Sequence, residues 1–160
     1  MSARAEVEEG WVVMEVKGLL LDPASETPVL LLQSSDGALL LPIWIGQVEA
    51  NSIAVALEGI REPRPMTHDL IHGILVELAI ELVRIEVWAL REGTFIGRLR
   101  LCRGEERCEV DSRPSDAIAM AVRTGAPIWV ARTVLDEALQ LDLAMLGKEE
   151  ERLREWLERA

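Results

Sequence analysis

The chain has 160 residues, 49% of them hydrophobic and 28% charged, with a formal net charge of −11. That length suits one domain with a core of its own, and no apolar run reaches the roughly 20 residues that a membrane-spanning helix needs. Residues 11–140 alone carry 12 basic and 19 acidic side chains, which disfavours a broad phosphate-binding field, so DNA or RNA would have to meet a local patch or bound cations. The acidic start, Glu6-Val7-Glu8-Glu9, is the opposite of a signal peptide's basic one, and the expected location is cytoplasmic, with no membrane partner.

Residues 1–10 read as a tail. Residues 11–21 are β-rich and partly alternating. Asp22 to Pro28 is a turn cluster, 29–33 a short apolar strand, and Ser34-Ser35-Asp36-Gly37 a hairpin signal that returns the chain as a strand over 38–45. Gly46 breaks that strand, and 47–57 has helical periodicity. Pro63 and Pro65 make the next connector stiff. Thr67 is placed to cap a helix from His68 to about Leu82, whose apolar stripe is Leu70, Ile71, Ile74, Leu75, Leu78 and Leu82. Gly73 inside that helix suggests a close contact.

A second block of strands follows over 84–91, 94–102 and 107–111, with turns at Glu92-Gly93 and at 103–106. A helix begins at Pro114 and stops at Gly125; a short strand covers 127–130 and a helix 132–141. Residues 148–159 form a charged amphipathic segment with Leu153, Trp156 and Leu157 on one side, so 142–160 reads as a C-terminal helical appendage to a domain over 11–141. Leu41-Pro42-Ile43-Trp44-Ile45 and Ala126-Pro127-Ile128-Trp129-Val130 echo each other over five residues, too few to show a duplication. Strands in blocks rather than strict alternation predict an α+β fold with a mixed, largely antiparallel sheet.

The stretch Asp111-Ser112-Arg113-Pro114-Ser115-Asp116 packs two carboxylates, an arginine and two hydroxyls into one strand-to-helix junction. Pro114 suits a first helical turn, Ser112 could cap it, and Asp116 lies where a helix favours negative charge. The same residues would also suit a polar site at a helix N-terminus. His68 and His72 lie four apart and could hold a metal, with Arg64, Thr67 and Asp69 beside them suited to a phosphate; caps and surface histidines are the structural alternative. Glu49, Asp69, Asp111 and Asp116 could hold Mg²⁺ or Mn²⁺ if the fold gathered them. Seven arginines fall between Arg84 and Arg113, with Arg98 and Arg100 on one strand face; neighbouring glutamates could equally neutralise them, and Trp88 and Phe95 are the only aromatics among them. Cys102 and Cys108 read as free thiols rather than a zinc site. No phosphate-binding glycine loop or serine nucleophile elbow occurs.

Three motifs together carry a resemblance. Leu41-Pro42-Ile43-Trp44-Ile45-Gly46 with Glu49-Ala50, then Arg64-Pro65-Met66-Thr67-His68-Asp69-Leu70, then Asp111-Ser112-Arg113-Pro114-Ser115-Asp116-Ala117-Ile118-Ala119, resemble the bifunctional nuclease (DNase/RNase domain) family over about residues 12–140. The resemblance implies a compact α+β domain, a homo-oligomer, and hydrolysis of DNA and RNA. Glu49, Arg64, Thr67, His68, Asp69, Asp111, Arg113, Ser115 and Asp116 carry over by position. The expected roles are Glu49, Asp69 and Asp116 as ligands of Mg²⁺ or Mn²⁺, with Asp111 a further candidate. His68, Asp69, Asp111, Arg113 and Asp116 form the catalytic set, and Arg64, Thr67 and Ser115 contact substrate. The competing reading is a non-catalytic oligomeric domain that binds a ligand or partner, its motif residues holding junctions in shape. The net charge and the scarcity of aromatics favour it.

Overall fold

The computed structural model describes residues 9–145, with side-chain surroundings as far as Ala138. The expected tail over 1–10, apart from its last two residues, and the amphipathic segment 148–159 lie outside the described residues. Seven strands and four helices occur in the order β1 (Trp11–Leu21), β2 (Pro28–Ser34), β3 (Leu40–Trp44), α1 (Gln47–Leu57), α2 (Thr67–Glu77), β4 (Glu81–Arg91), β5 (Thr94–Arg103), β6 (Glu106–Ser112), α3 (Pro114–Thr124), β7 (Ile128–Ala131) and α4 (Arg132–Met145). The strands form one sheet in the order β3-β2-β1-β7-β4-β5-β6. Every neighbouring pair is antiparallel except β4 with β7, so the fold is α+β with a mixed sheet.

Two three-stranded meanders are thus joined through β7, which enters last and sits in the middle. The two similar pentapeptides therefore occupy unlike places, one in edge strand β3 and one in central strand β7. The register places Ile85, Val87, Leu99, Leu101, Ile128 and Val130 in one core with Ala117, Ile118, Met120 and Ala121 of α3. Alternation along each strand supplies that face, and the small residues of α3 let its backbone lie close to β4 and β5. Helices α1 and α2 pack on α3 in turn.

α2 departs most from the sequence expectation. It stops at Glu77, because Leu78 leaves helical geometry and Ala79 adopts a φ of 54°, and Leu82 belongs to β4 instead. Of the expected apolar stripe only Leu75 within the helix is buried, while Leu70, Ile71, Ile74 and Leu78 are exposed. The helix turns His68 inward in their place. Gly73 has open space around it, not a close contact. Both expected caps also fall differently. Asp69 rather than Thr67 closes the start of α2, accepting the Met66 N–H at 3.0 Å. Ser112 gives its hydroxyl to the Arg113 carbonyl at 2.8 Å and does not cap α3.

The other face of the sheet holds a second polar construction. Glu86 of β4 is 0% exposed. Its carboxylate accepts from Arg84 Nε at 2.8 Å, from Arg100 Nε at 3.0 Å and from Arg98 Nε. Arg84 lies over the Trp129 ring at 4.1 Å and Arg98 over Trp88 at 4.9 Å. Arg98 and Arg100 also reach Glu109, at 3.2 and 3.3 Å. The expected arginine face is therefore real, but glutamates and indoles occupy it. Cys102 pairs in register with Arg107, not with Cys108, and both thiols are free.

Candidate functional site

Three helix starts meet at one place. α1 brings Glu49 in its first turn and Ser52 in its second; α2 brings His68 and Asp69; α3 brings Asp116, with Arg113 just ahead of it. Two glycines make room for this. An added Cβ at Gly46, the residue before α1, would collide with the Glu49 carboxylate. At Gly97 of β5 a Cβ would stand 3.1 Å from the Ser112 carbonyl oxygen and 3.2 Å from the Pro114 Cα, so the β6–α3 junction closes tightly only over glycine.

The polar groups form one continuous chain. Arg113 Nη2 meets Glu49 Oε1 at 2.9 Å, and its Nε donates to Asp116 Oδ2 at 2.8 Å. Asp116 Oδ1 lies 2.9 Å from His68 Nε2, and His68 Nδ1 lies 2.7 Å from Ser52 Oγ. Arg123, near the end of α3, donates from Nη2 to both Ser52 O and Ser52 Oγ at 3.1 Å, and from Nε to Asp69 Oδ1 at 2.8 Å. An ionised Asp116 can only accept, so His68 Nε2 donates to it; in the neutral ring Nδ1 then accepts the Ser52 hydrogen, and the Ser52 oxygen accepts from Arg123.

The middle of this chain is buried, and it reaches solvent at Asp69 on one side and at Asp116 and Arg113 on the other. Arg123 is 6% exposed and His68 8%, whereas Asp116 is 32% and Arg113 64% exposed. Burial tends to push the Asp116 carboxyl up, but hydrogen bonds from Arg113 and His68 outweigh it and hold the group below the usual carboxylate range. Asp69 is lowered by Arg123 and by the Met66 N–H. The Arg113 guanidinium is held more firmly protonated by Asp116 and Glu49.

The convergence expected from sequence is thus realised for Glu49, His68, Asp69, Arg113 and Asp116. Asp111 is a correction. It lies opposite Arg98 in register, on the sheet face that carries Glu86 rather than the one that carries α3. Ser115 is buried in the first turn of α3, and Thr67 is exposed without forming part of the chain of bonds. Arg64 is exposed on the connector before α2 and has no partner among the described residues. His72 is not part of this chain of bonds and lines a groove of about 340 Å³ with Ile80, Glu81 and Thr124.

The donor set does not suit a divalent cation as it stands. Glu49 and Asp116 share one guanidinium, Asp69 is tied to another, and no cluster of three or more candidate ligands occurs among the described residues. Nor is His68 an open ligand, since both ring nitrogens are engaged.

A model of the bifunctional nuclease domain matches residues 30–142. The chain belongs to the bifunctional nuclease domain family. It is 42% identical over 125 residues to the uncharacterized protein Rv1829 of Mycobacterium tuberculosis, covering 78% of this chain and 74% of that one. It is 28% identical over 118 residues to Bifunctional nuclease 1 of Oryza sativa subsp. japonica, covering 72% of this chain. Bifunctional nuclease 1 of Arabidopsis thaliana matches at 28% over 107 residues, 64% of this chain. This chain spans about a third of those plant proteins, 36% and 33% of their lengths.

Within this family member, sequence reasoning missed Ser52 and Arg123. Ser52 looks like a helix-surface serine, and Arg123 like a basic residue placed to suit the end of α3. One signal was available. Arg123 lies seven residues after Asp116, two helical turns on, so both project from one side of α3.

Proposed function

We propose that this family member hydrolyses phosphodiester bonds of DNA and RNA at the exposed end of the chain of bonds, where Arg113 and Asp116 meet solvent. One observation carries the reading. Residues from three motifs, spread from Glu49 to Asp116, join in a single hydrogen-bonded line that ends in an accessible guanidinium and carboxylate.

Arg113 keeps N–H groups that neither Glu49 nor Asp116 uses, and these would take a non-bridging phosphate oxygen and offset charge that develops on it. Arg64, unpaired on the neighbouring connector, would take a second phosphate. Asp116 is ionised at neutral pH because its carboxyl is lowered. It would orient a water whose oxygen adds to phosphorus, giving up a proton to solvent, as one ester P–O bond breaks and the leaving oxygen takes a proton from solvent. His68 is a positioning residue in this scheme. Buried, it fixes one Asp116 oxygen and leaves the other side of the carboxylate to Arg113 and to water.

The second reading, a non-catalytic binding domain, is favoured by the closure of the same chain, in which every carboxylate has an arginine. Cleavage of labelled single-stranded DNA and RNA separates the two, run with Mg²⁺, with Mn²⁺ and with chelator. The nuclease reading expects turnover that falls about 100-fold or more in Asp116→Asn and Arg113→Ala. No cleavage under any condition, or equal cleavage by both variants when circular dichroism shows them folded, rejects it.

A further inference from the structure

The family's name leads to an expectation of a divalent metal held by carboxylates, and the geometry here disagrees with it. Glu49 comes from α1 and Asp116 from α3, and the two carboxylates bind a single guanidinium, with contacts of 2.9 and 2.8 Å. A hard divalent cation would occupy the same gap, since it draws on the same carboxylate oxygens. We infer that Arg113 is the resident cation of this site, and that Arg113 and a divalent metal ion exclude each other between Glu49 and Asp116.

Three features argue for exclusion rather than addition. First, the arginine uses one oxygen from each carboxylate, and His68 Nε2 takes the second oxygen of Asp116. A metal entering beside Arg113 would therefore find only the far oxygen of Glu49 free of a hydrogen bond. Second, a divalent ion about 4 Å from a guanidinium meets strong repulsion that a single shared carboxylate pair cannot offset. Third, the remaining arginine-bound carboxylate of the site is not a spare ligand. Asp69 is held by Arg123 and by the Met66 N–H, with its carboxyl lowered by both. Removing the Arg113 side chain would change the balance, because two carboxylates on rigid helix starts would then face each other uncompensated. Mg²⁺ and Mn²⁺ accept that arrangement, filling their remaining positions with water.

The inference concerns the site proposed above for nucleic-acid cleavage but is tested without turnover, so its failure and the failure of the nuclease reading are distinct. Mn²⁺ is titrated into the full chain and followed by electron paramagnetic resonance and calorimetry. The set comprises the natural sequence, Glu49→Gln, Arg113→Ala, and Arg113→Ala combined with Glu49→Gln, each checked by circular dichroism. The expected result is no saturable Mn²⁺ site attributable to Glu49 in the natural chain. A single site at least about tenfold tighter should appear in Arg113→Ala and vanish in the double variant. A Mn²⁺ site in the natural chain that Glu49→Gln abolishes would overturn the inference. So would a folded Arg113→Ala chain that gains no site.

Discussion

Replacing Glu86 by glutamine would remove one negative charge from the point where three guanidiniums meet, with little change in shape. The carboxylate is fully buried and takes Arg84, Arg98 and Arg100 from three directions. A hydrogen bond to a charged partner contributes about 1.5–3 kcal/mol. The arginines are 19%, 21% and 37% exposed, so solvent relieves part of the loss. The amide oxygen of glutamine still accepts one bond, and the net cost comes to about 3 kcal/mol after screening. For a chain of this size that is a fall of about 6–12 °C in Tm. Burial acts to raise the Glu86 carboxyl, yet Arg98, Arg100 and Arg84 outweigh it and hold it below its ordinary range. A carboxylate lowered on folding stabilises fully above its unfolded value of about 4 and loses that contribution as pH falls through it. The gap between natural chain and Glu86→Gln should therefore be full at pH 7 and shrink below about pH 4. Urea unfolding followed by tryptophan fluorescence measures it, since Trp88 and Trp129 lie against these arginines. A difference below about 1 kcal/mol, or one that stays constant from pH 7 to the acid limb, refutes the account.

Two further outcomes follow from the site. Gly97→Ala pushes a Cβ against backbone atoms of Ser112 and Pro114, which cannot rotate away. It should cost about 1–3 kcal/mol in chemical denaturation and shift the amide resonances of the β6–α3 junction; an unchanged midpoint and spectrum would show that the close approach is not needed. Arg123→Ala strips partners from Asp69, Ser52 and the Ala119 carbonyl at once. It should lower stability by about 3–5 kcal/mol, while Asp69→Asn, which keeps an acceptor for the Met66 N–H, should cost less than half as much; equal losses in thermal unfolding would show that the buried arginine is not the hub.

Much of the fold is written locally. Alternation marked the inward face of β5, Asp36-Gly37 and Glu92-Gly93 placed turns, and Pro114 and Gly125 bounded α3 to the residue. Local signals also put Glu49, His68, Asp69 and Asp116 at helix starts, where carboxylates and polar groups satisfy free N–H groups. Only the tertiary structure decided what those starts are for. A helix's apolar spacing does not say which side is buried, and α2 buries His68 while it exposes Leu70, Ile71 and Ile74. A motif does not say which face of a sheet its first residue takes: Asp111 lies opposite Arg98 within β6, while Arg113, two residues on and past the end of that strand, joins the site. Hydrogen bonds such as Arg123 to Ser52, 71 residues apart, depend on the packing of α1 and α3 together and leave no periodic trace in the chain. Sequence by itself determined the elements and the chemistry available at their ends; the docking of three helices on one sheet determined that those ends share a single guanidinium-bridged site, because charge and hydrogen bonding act over a few ångströms of space and not along the backbone.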